Sequence, residues 1–133
     1  MNLKGPNSIS LLIGLQLAFD YARRGLQALK YYKDMIVIIP YSLTSEALQR
    51  LIFHLIAVEP NKDSVIVFEE PEGHAFPYYV KYLAERIALN KDNQFFISTH
   101  NPYMLLPLVE KAEDLRIFVT YVKDYQTKVK TLK

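Results

Sequence analysis

The 133-residue chain has no cysteine and no tryptophan, and only 4 glycines. Without cysteine there are no disulfides, no thiol nucleophile and no Cys-based zinc site. Gly5, Gly14, Gly25 and Gly73 are followed by Pro6, Leu15, Leu26 and His74. No Gly-Lys pair exists, so the chain lacks the Gly-x-x-x-x-Gly-Lys-Ser/Thr loop that cradles phosphates. No Gly-x-Ser-x-Gly elbow is present either, which leaves a hydrolase triad without support. Long apolar runs are also missing. The longest near the start, Leu11 to Phe19, is interrupted by Gln16 and is far short of the roughly 20 residues of a membrane span. A lone Lys4 with no cleavage site behind it makes a poor signal peptide, so the expected compartment is the cytoplasm. Net charge is +2 from 16 basic and 14 acidic residues, a balance that points to neither nucleic acid nor membrane.

What is present is half apolar, 50% of residues, which is ample for one globular domain over 1–133. Helix and strand patterns alternate. Asn7 and Ser8 are candidate caps for a helix from about Ile9 to Tyr32, with an apolar stripe through Leu15, Ala18, Ala22, Leu26 and Leu29. Met35 to Ile39 reads as a buried strand closed by Pro40. Leu48, Leu51, Ile52, Leu55 and Ile56 repeat as one face of a second helix, capped by Ser42, Thr44 or Ser45. Ser64 to Phe68 is the next expected buried strand. Pro77 opens a helix to about Asn90, Asn93 to Ser98 is a third strand, and Tyr103 to Ala112 a short helix. Leu115 to Val122 and Thr127 to Leu132 are expected to form a hairpin around Asp124. This order predicts an α/β fold with a largely parallel sheet flanked by helices and a C-terminal β-hairpin.

Ligands of parallel sheets sit beyond the carboxyl ends of the strands. Two polar clusters fall there. Val65-Ile66-Val67-Phe68 runs straight into Glu69-Glu70, and Phe95-Phe96-Ile97-Ser98 into Thr99-His100. One carboxylate can hold a hydrated Mg²⁺ and the other can take a proton from water. The plainer alternative is a solvated acidic strand end. His100 can donate a hydrogen bond to a developing anion, or it can be a satisfied histidine at the core edge. His54 lies among Leu and Ile and reads as structural. His74 lies in a loop, and three scattered histidines do not form a zinc-ligand spacing.

Taken together, Val65 to Pro77 and Phe95 to Tyr103 resemble the Walker B, D-loop and switch-histidine segments of an ABC-type ATPase domain. The likeness is to the OLD, RecF and SMC group of P-loop NTPase-like ATPases, and it covers about Pro40 to Leu132, leaving 1–39 without a motif. The resemblance implies ATP and Mg²⁺ as cofactors. It places Glu69 at the Mg²⁺-supporting position, where Asp is commoner, Glu70 as the general base, and Thr99-His100 as the switch that meets the γ-phosphate. Gly73 and His74 fall in the D-loop, which meets a partner subunit. Thr44 and Ser45 stand where the signature loop has Ser and Gly, and Glu46 and Ala47 replace the residues that follow.

Because the Walker A loop is missing, the implied activity is ATP hydrolysis only when another segment supplies it. That segment would be a separate polypeptide or a longer parent chain. A homodimer and, by analogy alone, DNA are the other implied partners. Lys123, Lys128, Lys130 and Lys133 read as a solvated face. The competing reading is a non-catalytic protein-interaction domain.

Overall fold

The computed structural model describes residues 14–132. Three sheets and three α-helices form in chain order. Strands β1 (Gln16–Asp20), β2 (Gly25–Tyr32) and β3 (Met35–Pro40) make an antiparallel meander. A 3₁₀ turn at Tyr41–Leu43 leads into α1 (Glu46–Val58). Then follow β4 (Val65–Glu69), α2 (Pro77–Ala88), β5 (Gln94–Ser98) and α3 (Pro102–Lys111). The last two strands, β6 (Ile117–Lys123) and β7 (Gln126–Leu132), pair antiparallel.

The expected helix over 9–32 is not formed in its described part. Residues 16–20 and 25–32 are strands, while the caps Asn7 and Ser8 lie outside the described residues. The apolar residues there satisfy two periods at once. Leu17 and Phe19, or Leu26 and Ala28, also alternate as a strand requires. Long-range pairing decides between them. Asp20 folds the chain back by accepting N–H bonds from Ala22 and Arg23 at 2.9 and 3.1 Å, and Ala28 is fully buried.

The largely parallel sheet is likewise corrected. Among the described residues only β4 and β5 run parallel, in the register Val65↔Gln94 to Glu69↔Ser98, and the other two sheets described are antiparallel. Met35 to Ile39 is a strand, but an exposed one. It forms an edge of the meander, and its terminal Pro40 suits an edge that donates no bond there. The hairpin has the expected place. Asp124 and Tyr125, both at positive φ (54° and 58°), make its two-residue turn, the geometry that matches strand twist.

The core lies between the helices and one face of β4–β5. Leu48, Leu51, Ile52, Leu55 and Val58 of α1 meet Val80, Leu83, Ala84 and Ile87 of α2, with Met104 and Leu108 of α3 and Phe68 of β4. Ile66, Phe95 and Ile97 complete the covered face of the strands. Ser45 caps α1, its Oγ accepting the Leu48 N–H, and Asn101 caps α3 through the Tyr103 N–H. The expected burial of the Ser64 to Phe68 strand holds for one face only. Val65, Val67 and Phe96 are 63%, 71% and 54% exposed, so the opposite face of the parallel pair is bare.

Leu55 is 1% exposed at the centre of this core. Leu55→Ala is expected to lower unfolding free energy by about 2–5 kcal/mol in urea denaturation, from lost burial and the cavity left behind. His54 is half-buried to buried on α1, edge-on to Phe68 at 5.0 Å, and burial pushes its pKa below the ordinary histidine value. Well above about pH 6.5 the ring is neutral in both folded and unfolded chains. As pH falls below that, the unfolded chain takes the proton first and stability is lost until the lower folded pKa is passed. Calorimetry should therefore show the melting temperature falling from about pH 7.5 to about 5.5 more steeply for the wild type than for His54→Leu.

Candidate functional site

The parallel register sets Glu69 beside Ser98 at the carboxyl ends of neighbouring strands. Alternation along β4 puts Glu69 on the same bare face as Val65 and Val67. Glu70 adds one more rung, its N–H donating to the Ser98 carbonyl at 2.9 Å. There the strand ends abruptly, because Glu70 is in the left-handed region at φ 43°. A side chain pays strain of about 1–3 kcal/mol in that region, and such residues cluster at functional sites. The turn brings the Glu70 carboxylate to His100, with Oε1 3.1 Å from Nδ1. Both side chains are open to solvent. A carboxylate oxygen accepts, so the Nδ1–H of the ring is the donor in this contact.

The turn after Glu70 is closed by its own backbone. Gly73 N–H donates to the Glu70 carbonyl at 2.9 Å and Ala75 N–H to the Glu72 carbonyl at 3.1 Å. A Cβ on Gly73 would stand 3.3 Å from that Glu70 carbonyl oxygen and 3.6 Å from Arg50 Nη1, so a residue without a side chain fits best. His74 follows at φ 58° and is exposed.

Sequence reasoning passed over Glu72, which is only 5% exposed. Its Oε1 accepts the Thr99 hydroxyl in a short hydrogen bond and the His100 backbone N–H at 3.3 Å. Thr99 Oγ1 in turn accepts the Asn101 N–H at 3.1 Å. The available signal was chemical complementarity: an acid just before the Gly73 turn and a hydroxyl just before His100, one helix apart. It was masked because an acid in an acidic loop looks solvated.

Thr44 and Ser45 are not joined to this cluster. Ser45 Oγ caps α1, and Thr44 Oγ1 donates to the Tyr41 carbonyl at 2.6 Å. Gln49 Nε2 donates to the Tyr41 and Thr44 carbonyls at 3.2 and 3.0 Å, and the Tyr41 hydroxyl donates to the Gln49 carbonyl. Burial raises the pKa of that Tyr41 hydroxyl. Both predicted signature hydroxyls thus serve their own turn.

Among the described residues, no three His, Asp or Glu side chains gather as a metal cage. The donor set instead suits a hard cation held by one or two carboxylates and otherwise by water and phosphate oxygens, the usual mode of Mg²⁺. No described helix is long and apolar enough to cross a membrane.

Known structures are similar to this fold. A structure from work on ATP-driven dimerization and DNA-stimulated activation of SMC ATPases matches 90% of this chain and 73% of its own, with a TM-score of 0.59 and 20% identity. The fold resembles part of an SMC ATPase head. A second match, the Smc head bound to the C-winged helix domain of ScpA, has a TM-score of 0.61 and 20% identity, covering 89% of this chain and 36% of that one. The third is an Smc head with an extended coiled coil, bound to the C-terminal domain of ScpA from Pyrococcus furiosus. It has a TM-score of 0.56 and 22% identity, covering 89% of this chain and 30% of that one. The chain therefore spans about a third of the length of these two head structures. No family model and no curated protein matches the sequence.

Proposed function

We propose that this SMC-head-like chain is the Walker-B-bearing portion of an ABC-type ATPase, hydrolysing ATP in the cytoplasm once a Walker A segment joins it. The observation that carries the reading is the meeting of Glu70 and His100, 3.1 Å apart, at the carboxyl ends of the one parallel strand pair among the described residues, with Glu69 one residue away. Bound ATP with Mg²⁺ would supply an electrophilic phosphorus and a neutralised leaving group.

Each residue then has a distinct task. Glu69 would supply a carboxylate oxygen to the cation. Glu70 would accept a proton from water. The His100 Nδ1–H bond holds Glu70 Oε1 in place, which leaves Nε2 for a phosphate oxygen. Thr99 sits at the base of this switch segment and fixes its path through the Asn101 N–H.

The partner follows from the sheet. Parallel sheets are covered on both faces, yet Val65, Val67 and Phe96 are exposed here. A Walker-A-bearing polypeptide, or the rest of a longer chain, laid on this face would bring its phosphate loop beside Glu69 and Ser98. A second copy would meet the turn holding Gly73 and His74, and Thr44 and Ser45 would act across that dimer. DNA remains a partner by analogy with the SMC ATPases alone. The bare face and the missing loop also favour a second reading, a non-catalytic domain that binds a partner through these same strands.

The two readings separate on one variant. In the chain combined with its Walker-A-bearing partner, Glu70→Gln is expected to lower ATP turnover by about 10²–10⁴-fold, the usual worth of a general base, while nucleotide binding is kept. Unchanged turnover removes Glu70 from the chemistry, and absence of any turnover in the wild-type pair supports the non-catalytic reading.

A further inference from the structure

Glu72 is a carboxylate that the Walker B and switch assignments leave without work. It is 5% exposed, and its Oε2 is buried with no hydrogen-bond partner among the described residues. A buried acceptor left unmatched is costly, more so for a charged group. A turn needing only shape would be better served by an amide or an apolar residue. What the carboxylate supplies is Oε1, which gathers two donors from the neighbouring strand end, the Thr99 hydroxyl and the His100 N–H. The second donor belongs to the backbone of the very residue whose ring reaches Glu70.

We propose that Glu72 is the positioning residue of this site: by gripping Thr99 and the His100 backbone, it sets the His100 ring against Glu70. The turn and the strand end close a loop. Glu70 and Glu72 lie in one turn and Thr99 and His100 at one strand end, joined by the Ser98 carbonyl bond to Glu70 N–H, the Glu72 grip and the His100–Glu70 contact. The rim of this loop, Glu70 and His100, is exposed, and its floor, Glu72, is buried. The catalytic meaning of the link rests on the ATPase reading, but the link itself does not.

The test reads the imidazole tautomer of His100 by ¹⁵N NMR on the full chain without nucleotide. Glu70→Ala gives the reference for a ring with no carboxylate partner. The wild type is expected to hold a larger Nδ1–H fraction than Glu70→Ala. Glu72→Ala should fall to that reference, and Glu72→Gln, which keeps an acceptor oxygen, should stay near the wild type. Where Glu72→Ala does not fold, Thr99→Val is read in its place and is expected to reduce the Nδ1–H fraction. A folded Glu72→Ala or Thr99→Val chain with the wild-type fraction overturns the proposal, as does a wild type equal to Glu70→Ala. In the completed ATPase, Glu72→Ala should also lower kcat by about a hundredfold with KM for ATP unchanged, the scale of a small misplacement of catalytic groups. Loss of the tautomer signature without any ATPase in the wild type would leave Glu72 as a positioning residue and remove only the ATPase reading.

Discussion

Parallel pairing of β4 with β5 is the constraint on which the rest depends. Two strands that run side by side in one direction must be joined by a crossover, here α2, and their carboxyl ends then face the same way. That single fact converts two motifs 30 residues apart into neighbours. Packing supplies the rigidity. Phe68 and the partly buried Ile66, Phe95 and Ile97 hold the strands to the helices, so the strand ends are anchored while the acids and the histidine beyond them stay open to solvent.

The same packing leaves an imbalance. All the buried apolar side chains of β4–β5 face the helices, and the reverse face shows Val65, Val67 and Phe96 to water. The meander adds Met35, Ile36, Val37 and Ile38, each more than two-fifths exposed. Exposed apolar side chains of this kind suit contact with another surface. The strand face that carries Glu69 is the face whose apolar residues are exposed.

How much of this was legible in the sequence depends on how local each signal is. The helix α1 declared itself through Leu48, Leu51, Ile52 and Leu55, which all point to the core, while Ile56 of the same expected stripe is 51% exposed, and α2 packs through Val80, Leu83, Ala84 and Ile87. The strand ends at Glu69 and Ser98 were legible because an apolar run stops at a polar cluster. Residues 16–32 were misread because their apolar spacing fits a helix as well as two strands, and only pairing with β3, a non-local event, decides. Sheet direction was overextended from one parallel pair to the whole. Burial was overestimated wherever β-branched runs lie on an edge or an uncovered face. The Glu70–His100 proximity followed from the strand order, whereas Glu72 did not, since its role depends on a turn whose backbone enters the left-handed region twice, at Glu70 and His74.

A chain without cysteine allows the central geometry to be read directly. Parallel neighbours lie within the Cα separation of about 4.4–6.8 Å that a disulfide spans. Glu69→Cys combined with Ser98→Cys, oxidised in dilute protein, should give a monomeric intramolecular disulfide, because the two positions are register partners. Failure of that pair to close, with closure instead of Glu69→Cys with a position shifted along β5 such as Phe96→Cys, would contradict the register that brings Glu70 to His100.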